Sequence, residues 1–153
     1  GSSVLAAYYN ANYDTEEHKS DVDLFVYGDP SQVVLVGNTH EVNSHVDNIL
    51  DAYKEMNKDI YHVIKYRALG DYPNIDVVFL QGRDIHSTQE FHDWLVDRFD
   101  ITICATAWDG KKFYIPKGVD MKKMTSPSTV KEYSSKYGQR RQKYIDRGFL
   151  IID

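Results

Sequence analysis

The clearest pattern in the chain is an alternation of acidic and apolar residues after Ser20. Asp21 and Asp23 occupy one parity. The apolar positions of the other parity are Val22, Leu24 and Val26. Because side chains two positions apart on a β-strand share a face, the pattern predicts a strand over residues 21–27 with one acidic face and one core face. Gly28, which is followed by aspartate and proline, marks its end.

The other elements follow from the spacing of apolar residues and turn formers. Apolar, β-prone runs predict strands at residues 60–66, 75–80, 100–107 and 112–115. Amphipathic stripes and capping residues predict helices at residues 3–11, 41–57, 87–98 and 127–147. Turn formers at residues 69–74 and at Asp109-Gly110 predict two β-hairpins. Together these elements predict one α+β domain over residues 1–153, in which helices flank a mixed β-sheet.

The composition narrows the class of protein. With 153 residues, of which 42% are hydrophobic and 27% charged, the chain is large enough to bury a sizeable core. No apolar run approaches the length of a membrane span, so no membrane partner is expected. The net charge of −5 disfavours broad nucleic-acid binding but is compatible with a local basic patch. Cys104 is the only cysteine, which favours a reducing compartment and a cytoplasmic location.

The paired acids carry the candidate chemistry. If both are ionised about 4 Å apart, their repulsion costs roughly 4 kcal/mol at an effective dielectric constant of 20. A bound cation removes that cost, and carboxylate oxygens suit Mg²⁺ or Mn²⁺. Asp76 adds a third charge to an otherwise apolar strand. It lies either at the solvent end of the strand or beside Asp21 and Asp23. Without such a third group, the pair is more simply a solvated strand face.

The start of the chain offers a second candidate. Gly1, Ser2 and Ser3 precede an alanine-rich stretch that predicts a helix, and the free N–H groups of a helix start suit phosphate. These three residues are either native or an expression scar. The sequence contains no serine-hydrolase elbow and no P-loop, and its histidines lack the spacing of a zinc site.

The order of these features resembles the nucleotidyltransferase superfamily, whose best-known member is DNA polymerase beta. Gly1 and Ser2 match the Gly-Ser turn of that family. Asp21 and Asp23 match its paired carboxylates, and Asp76 in Ile-Asp-Val matches its third. The spacer of 18 residues between the turn and the pair is longer than is usual in the family.

The second half of the chain carries a narrower resemblance. Residues 99–104, 108–110 and 141–149 are similar to uncharacterised nucleotidyltransferase-like proteins of phages, large viruses and some fungi. Those proteins often lack an acid at the position of Asp76 and retain the strand that here carries Asp100. The third carboxylate is therefore Asp76, Asp100 or neither.

The resemblance implies a function as well as a fold. Two Mg²⁺ or Mn²⁺ ions would be held by Asp21, Asp23 and Asp76, with Asp100 as the substitute for Asp76. Residues 1–3 would bind the phosphates of a nucleoside triphosphate, whose nucleoside monophosphate would pass to a hydroxyl of an unknown acceptor. The cluster would then contain no lysine or arginine that neutralises it. The alternative is an inactive binding or structural module of the same fold, in a viral particle or a larger polyprotein.

Overall fold

The computed structural model describes residues 1–15, 19–27, 39–42, 59–81, 84–129 and 135–152. In chain order the elements are α1 (Ser2–Tyr9), β1 (Val22–Tyr27), β2 (His40–Val42), β3 (Ile60–Ala68), β4 (Ile75–Leu80), α2 (Thr88–Val96), a 3-10 helix (Thr102–Ala105), β5 (Ala107–Trp108), β6 (Phe113–Tyr114), β7 (Thr125–Pro127), α3 (Ser135–Asp146) and β8 (Leu150–Ile152). The chain is therefore an α+β protein. None of the described helices is long and apolar enough to cross a membrane.

The chain divides into two compact units. We call Asp14–Asp84 the sheet unit, and Gly1–Tyr13 together with Ile85–Asp153 the helical unit. Each is described by itself below. The single domain expected over residues 1–153 stays a prediction.

The described residues of the sheet unit form a four-stranded sheet in the order β1-β4-β3-β2. Strands β3 and β4 form an antiparallel hairpin, as the turn formers at residues 69–74 predicted. Strand β1 pairs with the other side of β4 in parallel, from Val22 opposite Ile75 to Tyr27 opposite Leu80. The expectation of a mixed sheet is thus confirmed for these strands.

One face of this sheet carries a cluster of buried apolar residues. Val77 and Phe79 of β4 are fully buried there beside Tyr66 of β3. The register places Leu24 opposite Val77, so the apolar parity of β1 faces the same side as this cluster. Leu24 nevertheless remains 37% exposed, so the expectation that it enters the core is only partly met. The reason is its position on β1, which lies at the edge of the sheet among the described strands.

The helical unit is organised around a second cluster. Its buried members are Leu5, Ile101, Ile103, Cys104, Met121, Tyr137, Tyr144, Phe149 and Ile151. Helix α2 begins as the sequence predicted, because Ser87 caps it by accepting a hydrogen bond from the backbone N–H of Glu90 at 3.1 Å. Strands β5 and β6 form the short hairpin expected around Asp109-Gly110.

The strand predicted over residues 100–107 is wrong for most of its length. Thr102–Ala105 form a 3-10 helix, and only the final residue of the predicted strand lies in β5. All residues from 101 to 106 are buried, and a continuous apolar run of this length does not distinguish a strand from a helix. Hydrogen bonds from Cys104 N to Ile101 O and from Thr106 N to Ile103 O hold the compact turn.

Two predicted helices also need correction. Residues 41 and 42, the start of the helix predicted over 41–57, belong to β2, and residues 43–57 lie outside the described part. Of the helix predicted over 127–147, Ser135–Asp146 form α3, residue 127 instead ends β7, and residues 130–134 lie outside the described part. Strand β7 pairs in parallel with β8, the final apolar segment. A strand therefore occupies the position where proline suggested a helix start.

We expect Leu5→Ala to reduce the free energy of unfolding by about 2–5 kcal/mol, because Leu5 is completely buried in the core of the helical unit. Leu150→Ala, at a leucine that is 62% exposed, is the matched control and should change it by less than about 0.5 kcal/mol. Urea denaturation followed by circular dichroism measures both. Equal losses for the two variants would contradict the assignment of Leu5 to the core.

Candidate functional site

The parallel pairing of β1 with β4 brings two of the candidate aspartates together. Asp23 is the register partner of Asp76. Paired residues on adjacent parallel strands project from the same face, and the strands lie about 4.8 Å apart. Asp21 immediately precedes β1, two positions before Asp23, and its charge acts on the Asp23 carboxyl. The sheet therefore concentrates negative charge at one end of the β1–β4 pair.

Lys65 completes the row of charges across the sheet. It is the register partner of Asp76 on β3, and its Nζ lies 3.4 Å from Asp76 Oδ2. Because β4 lies between β3 and β1, Lys65 and Asp23 flank Asp76 from opposite sides. The expectation that no lysine or arginine neutralises the cluster is wrong. A positive charge is built into the strand next to the buried acid.

The three groups of this row differ in their access to solvent. Asp76 is only 5% exposed, whereas the side chain of Asp23 keeps an exposed surface. A buried carboxylate needs a compensating partner, and the ion pair with Lys65 supplies one. Asp23 is thus the carboxylate of the pair that an incoming solute reaches more readily.

The environment of Asp23 raises the pKa of its carboxyl group above the ordinary value of 3.8. The largest cause is desolvation by the surrounding protein atoms, and repulsion from the Asp76 carboxylate adds to it. Desolvation is incomplete, because the side chain is exposed, so the neighbouring charges matter. Asp21 raises the pKa further and Lys65 lowers it. A cation near Asp23 would reduce this repulsion between the carboxylates.

The donor chemistry of the cluster fits Mg²⁺ or Mn²⁺, since all three acids offer hard oxygen ligands. Among the described residues, however, no group of three or more His, Cys, Asp or Glu side chains is arranged to hold a metal ion. The sheet brings together a register pair, Asp23 with Asp76, with Asp21 two positions before Asp23 and Lys65 paired to Asp76.

The candidate phosphate-binding residues belong to the helical unit. Gly1 is the N-cap of α1 and makes no side-chain capping bond, and Ser2 and Ser3 are the first helical residues. Arg147 donates a hydrogen bond from Nη1 to Ser2 Oγ at 2.7 Å. The same guanidinium lies over the ring of Tyr13, at 4.6 Å from its centroid. The hydroxyl expected to contact phosphate is thus already a hydrogen-bond acceptor.

Asp100, the substitute third carboxylate, also lies in the helical unit. Arg140 of α3 forms an ion pair with its Oδ2, and its Oδ1 accepts a hydrogen bond from Ile101 N at 2.9 Å. This carboxylate therefore has a structural role at the start of the buried segment that contains the 3-10 helix. Within the sheet unit, Asp76 is the register partner of Asp23.

Lys65 is the functional residue that sequence reasoning missed, although a signal was present. The hairpin and its turn were recognised, and pairing across that turn places Tyr66 opposite Ile75. Continuing the antiparallel register by one residue places Lys65 opposite Asp76. Counting outwards from the turn would have predicted the ion pair.

We expect Asp23→Asn to leave the melting temperature at pH 7 unchanged or raised when a chelator is present. A carboxyl whose pKa is raised in the folded state destabilises that state when it ionises. The benefit of the variant should shrink as the pH falls through the raised pKa of Asp23 and vanish below 3.8. Thermal melts from pH 3 to 8 test this, with Asp71→Asn in the exposed β3–β4 turn as the control. A large loss of stability would show that ionised Asp23 stabilises the fold.

We expect Lys65→Met to reduce the free energy of unfolding by roughly 1–3 kcal/mol, because buried Asp76 loses its ion pair. The double variant Lys65→Met/Asp76→Asn should recover much of that loss, since no unbalanced charge remains. Arg67→Met is the matched control. It breaks the exposed ion pair with Glu41 on the same sheet and should cost about 1 kcal/mol or less. Urea titrations measure the wild type and the three variants, and a double variant no more stable than Lys65→Met would contradict the pairing.

Comparison with known proteins found no match among family models, curated proteins or solved structures.

Proposed function

We propose that this chain is a metal-dependent nucleotidyltransferase, which moves a nucleoside monophosphate from a nucleoside triphosphate to a hydroxyl acceptor and releases pyrophosphate. The observation that carries the proposal is the register pairing of Asp23 with Asp76 on adjacent parallel strands, with Asp21 two positions before Asp23. This pairing supports the resemblance between these carboxylates, in their order along the chain, and the carboxylates of the superfamily. We extend the proposal to a nucleotidyltransferase-like fold and a cytoplasmic location.

In this proposal Asp21, Asp23 and Asp76 hold Mg²⁺ or Mn²⁺. When bound, such ions supply a lowered pKa for the attacking hydroxyl and charge stabilisation for the departing pyrophosphate. The chain itself provides a buried acid, Asp76, whose position is fixed by Lys65, and a solvent-accessible acid, Asp23. The repulsion that raises the pKa of Asp23 favours cation binding, because a positive charge between the carboxylates removes it.

The ion pair between Lys65 and Asp76 favours a second candidate, an inactive binding or structural module of the same fold. A lysine at 3.4 Å supplies part of the positive charge that a metal would otherwise provide. If this charge is sufficient, the acidic row is a structural network and requires no divalent ion. The two candidates therefore differ in whether the cluster binds a cation at all.

Divalent-ion binding and label transfer decide between them. Calorimetry with Mn²⁺ should detect binding by the wild-type chain and by Asp71→Asn, and at least tenfold weaker binding by Asp23→Asn and Asp76→Asn. Incubation with each α-labelled nucleoside triphosphate and Mn²⁺, with and without RNA, should transfer label only in the proteins that bind the metal. Asp71 is the matched control because it is an exposed aspartate in the same unit.

A negative result also decides between the two candidates. A wild-type chain that neither binds Mn²⁺ nor transfers label would overturn the enzyme proposal in favour of the inactive module. If Lys65→Met then gained Mn²⁺ binding, the lysine would be identified as the replacement for a metal charge.

A further inference from the structure

The β5–β6 hairpin has one inward face and one outward face. Tyr114 faces inward, where it is only 7% exposed and its ring centroid lies 5.5 Å from that of His92. Trp108 and Phe113 are register partners on the other face. The outward side of a short hairpin normally carries polar side chains, but here it carries two aromatic rings.

These outward rings are accessible and have an aromatic neighbour on α1. Trp108 is 57% exposed and Phe113 is 36% exposed. Tyr8, near the end of α1, is 41% exposed and meets Phe113 edge to face at a centroid distance of 5.2 Å. Exposed apolar side chains that lie together mark a binding surface more often than scattered ones do. We call these three residues the aromatic face.

Lysine-bearing turns accompany the aromatic face. The sequence Asp-x-Lys-Lys occurs at residues 109–112 and again at 120–123. In the first turn, Asp109 Oδ1 accepts hydrogen bonds from the backbone N–H groups of Lys111 and Lys112 at 2.8 and 2.9 Å. In the second, Asp120 Oδ1 accepts the equivalent bonds at 3.0 and 2.9 Å. Each aspartate is therefore used to shape a turn that presents two exposed lysines.

Both turns lie against the same end of α1. The first belongs to the hairpin whose Phe113 touches Tyr8. The second is held by Tyr9, whose hydroxyl donates a 2.6 Å hydrogen bond to the carbonyl oxygen of Met121. The adjacent tyrosines Tyr8 and Tyr9 thus connect the aromatic face with both lysine-bearing turns.

The local charge is opposite in sign to that of the whole chain. Between residues 107 and 124 there are five lysines and two aspartates, whereas the chain as a whole carries −5. Arg140 of α3 and Arg147, which follows that helix, are less available, because Arg140 pairs with Asp100 and Arg147 donates to Ser2. The lysines of the turns are exposed. The surface therefore combines flat aromatic rings with exposed positive charges.

We propose that this surface binds single-stranded nucleic acid. Bases stack on Trp108 and Phe113, and the lysines of the two turns contact the backbone phosphates. Aromatic side chains within a basic surface are the general means by which proteins hold unpaired strands without reading their sequence. Binding here goes beyond the proposed nucleotidyltransferase function and does not require it.

The test is titration of fluorescein-labelled 12-mer oligo(U) and oligo(dT), without metal or nucleotide, followed by anisotropy and tryptophan emission. Trp108→Ala and Phe113→Ala should each weaken binding roughly 5- to 150-fold, and Trp108→Ala should also abolish the quenching of emission. Leu150→Ala, another exposed apolar side chain of the helical unit, is the control and should bind as wild type.

The lysines are tested by the salt dependence. For single strands, each lost phosphate contact reduces the slope of log K against log salt by about 0.7, so Lys111→Gln/Lys112→Gln should reduce it by about 1.4. Lys136→Gln, at an exposed lysine of α3, should leave the slope unchanged. Circular dichroism confirms that each variant is folded. Asp23→Asn should bind the oligonucleotides normally, which separates this proposal from the enzyme proposal.

Three results would overturn the proposal. The first is no measurable oligonucleotide binding by the wild-type chain. The second is binding that survives loss of both aromatic rings. The third is selective binding to vesicles of phosphatidylserine and phosphatidylcholine, lost in the same variants, which would assign the surface to a membrane instead.

Discussion

The parallel pairing of β1 with the outer side of a β-hairpin is the constraint on which the candidate site depends. The hairpin alone would give Asp76 a lysine partner and nothing more. Backbone hydrogen bonding between β1 and β4 fixes the register, so that Asp23 has no position available except the one beside Asp76. Two carboxylates are therefore held together by main-chain geometry, against their own repulsion.

The same constraint explains why the acids are not equivalent. Strand β4 is flanked on both sides and its acid is buried, whereas β1 is the outermost of the strands that the structure describes on that side, and its acid meets solvent. Asp76 forms an ion pair with Lys65, whereas Asp23 does not lie on a strand next to that lysine. The question is whether the positive charge of Lys65 is enough to balance the negative charges of Asp76 and Asp23. If it is, the cluster is a structural network, and if it is not, the cluster is a site for a cation.

Sequence reasoning succeeded where the signal was local. The apolar run of β4, the turn before it, the Ser87 cap and the Asp109-Gly110 hairpin are all specified within a few residues. It failed where the outcome depends on the surroundings. Residues 101–106 form an apolar run that is compatible with a buried strand, but their burial on every side is equally compatible with the tighter helical turn that they adopt.

The candidate site shows the same division. The shared parity of Asp21 and Asp23 follows from alternation alone, and Lys65 opposite Asp76 follows from the hairpin turn. The pairing of Asp23 with Asp76 does not follow from such local patterns, because it joins parallel strands that are far apart in the sequence. The exposed rings of the β5–β6 hairpin were visible only as an aromatic-rich composition, since facing direction requires the register.

The contacts on the two sides of β4 close loops of different length, so they cost different amounts of conformational entropy. Asp76 follows Lys65 by 11 positions and Asp23 by 53. Closing the longer loop costs about 1.4 kcal/mol more conformational entropy than closing the shorter one. The contact between opposite charges is thus the less costly one to form, and the contact between like charges needs the longer closure. In this fold the positive partner of Asp76, Lys65, lies on the same hairpin, whereas the neighbouring acid, Asp23, lies on a strand that is distant in the sequence.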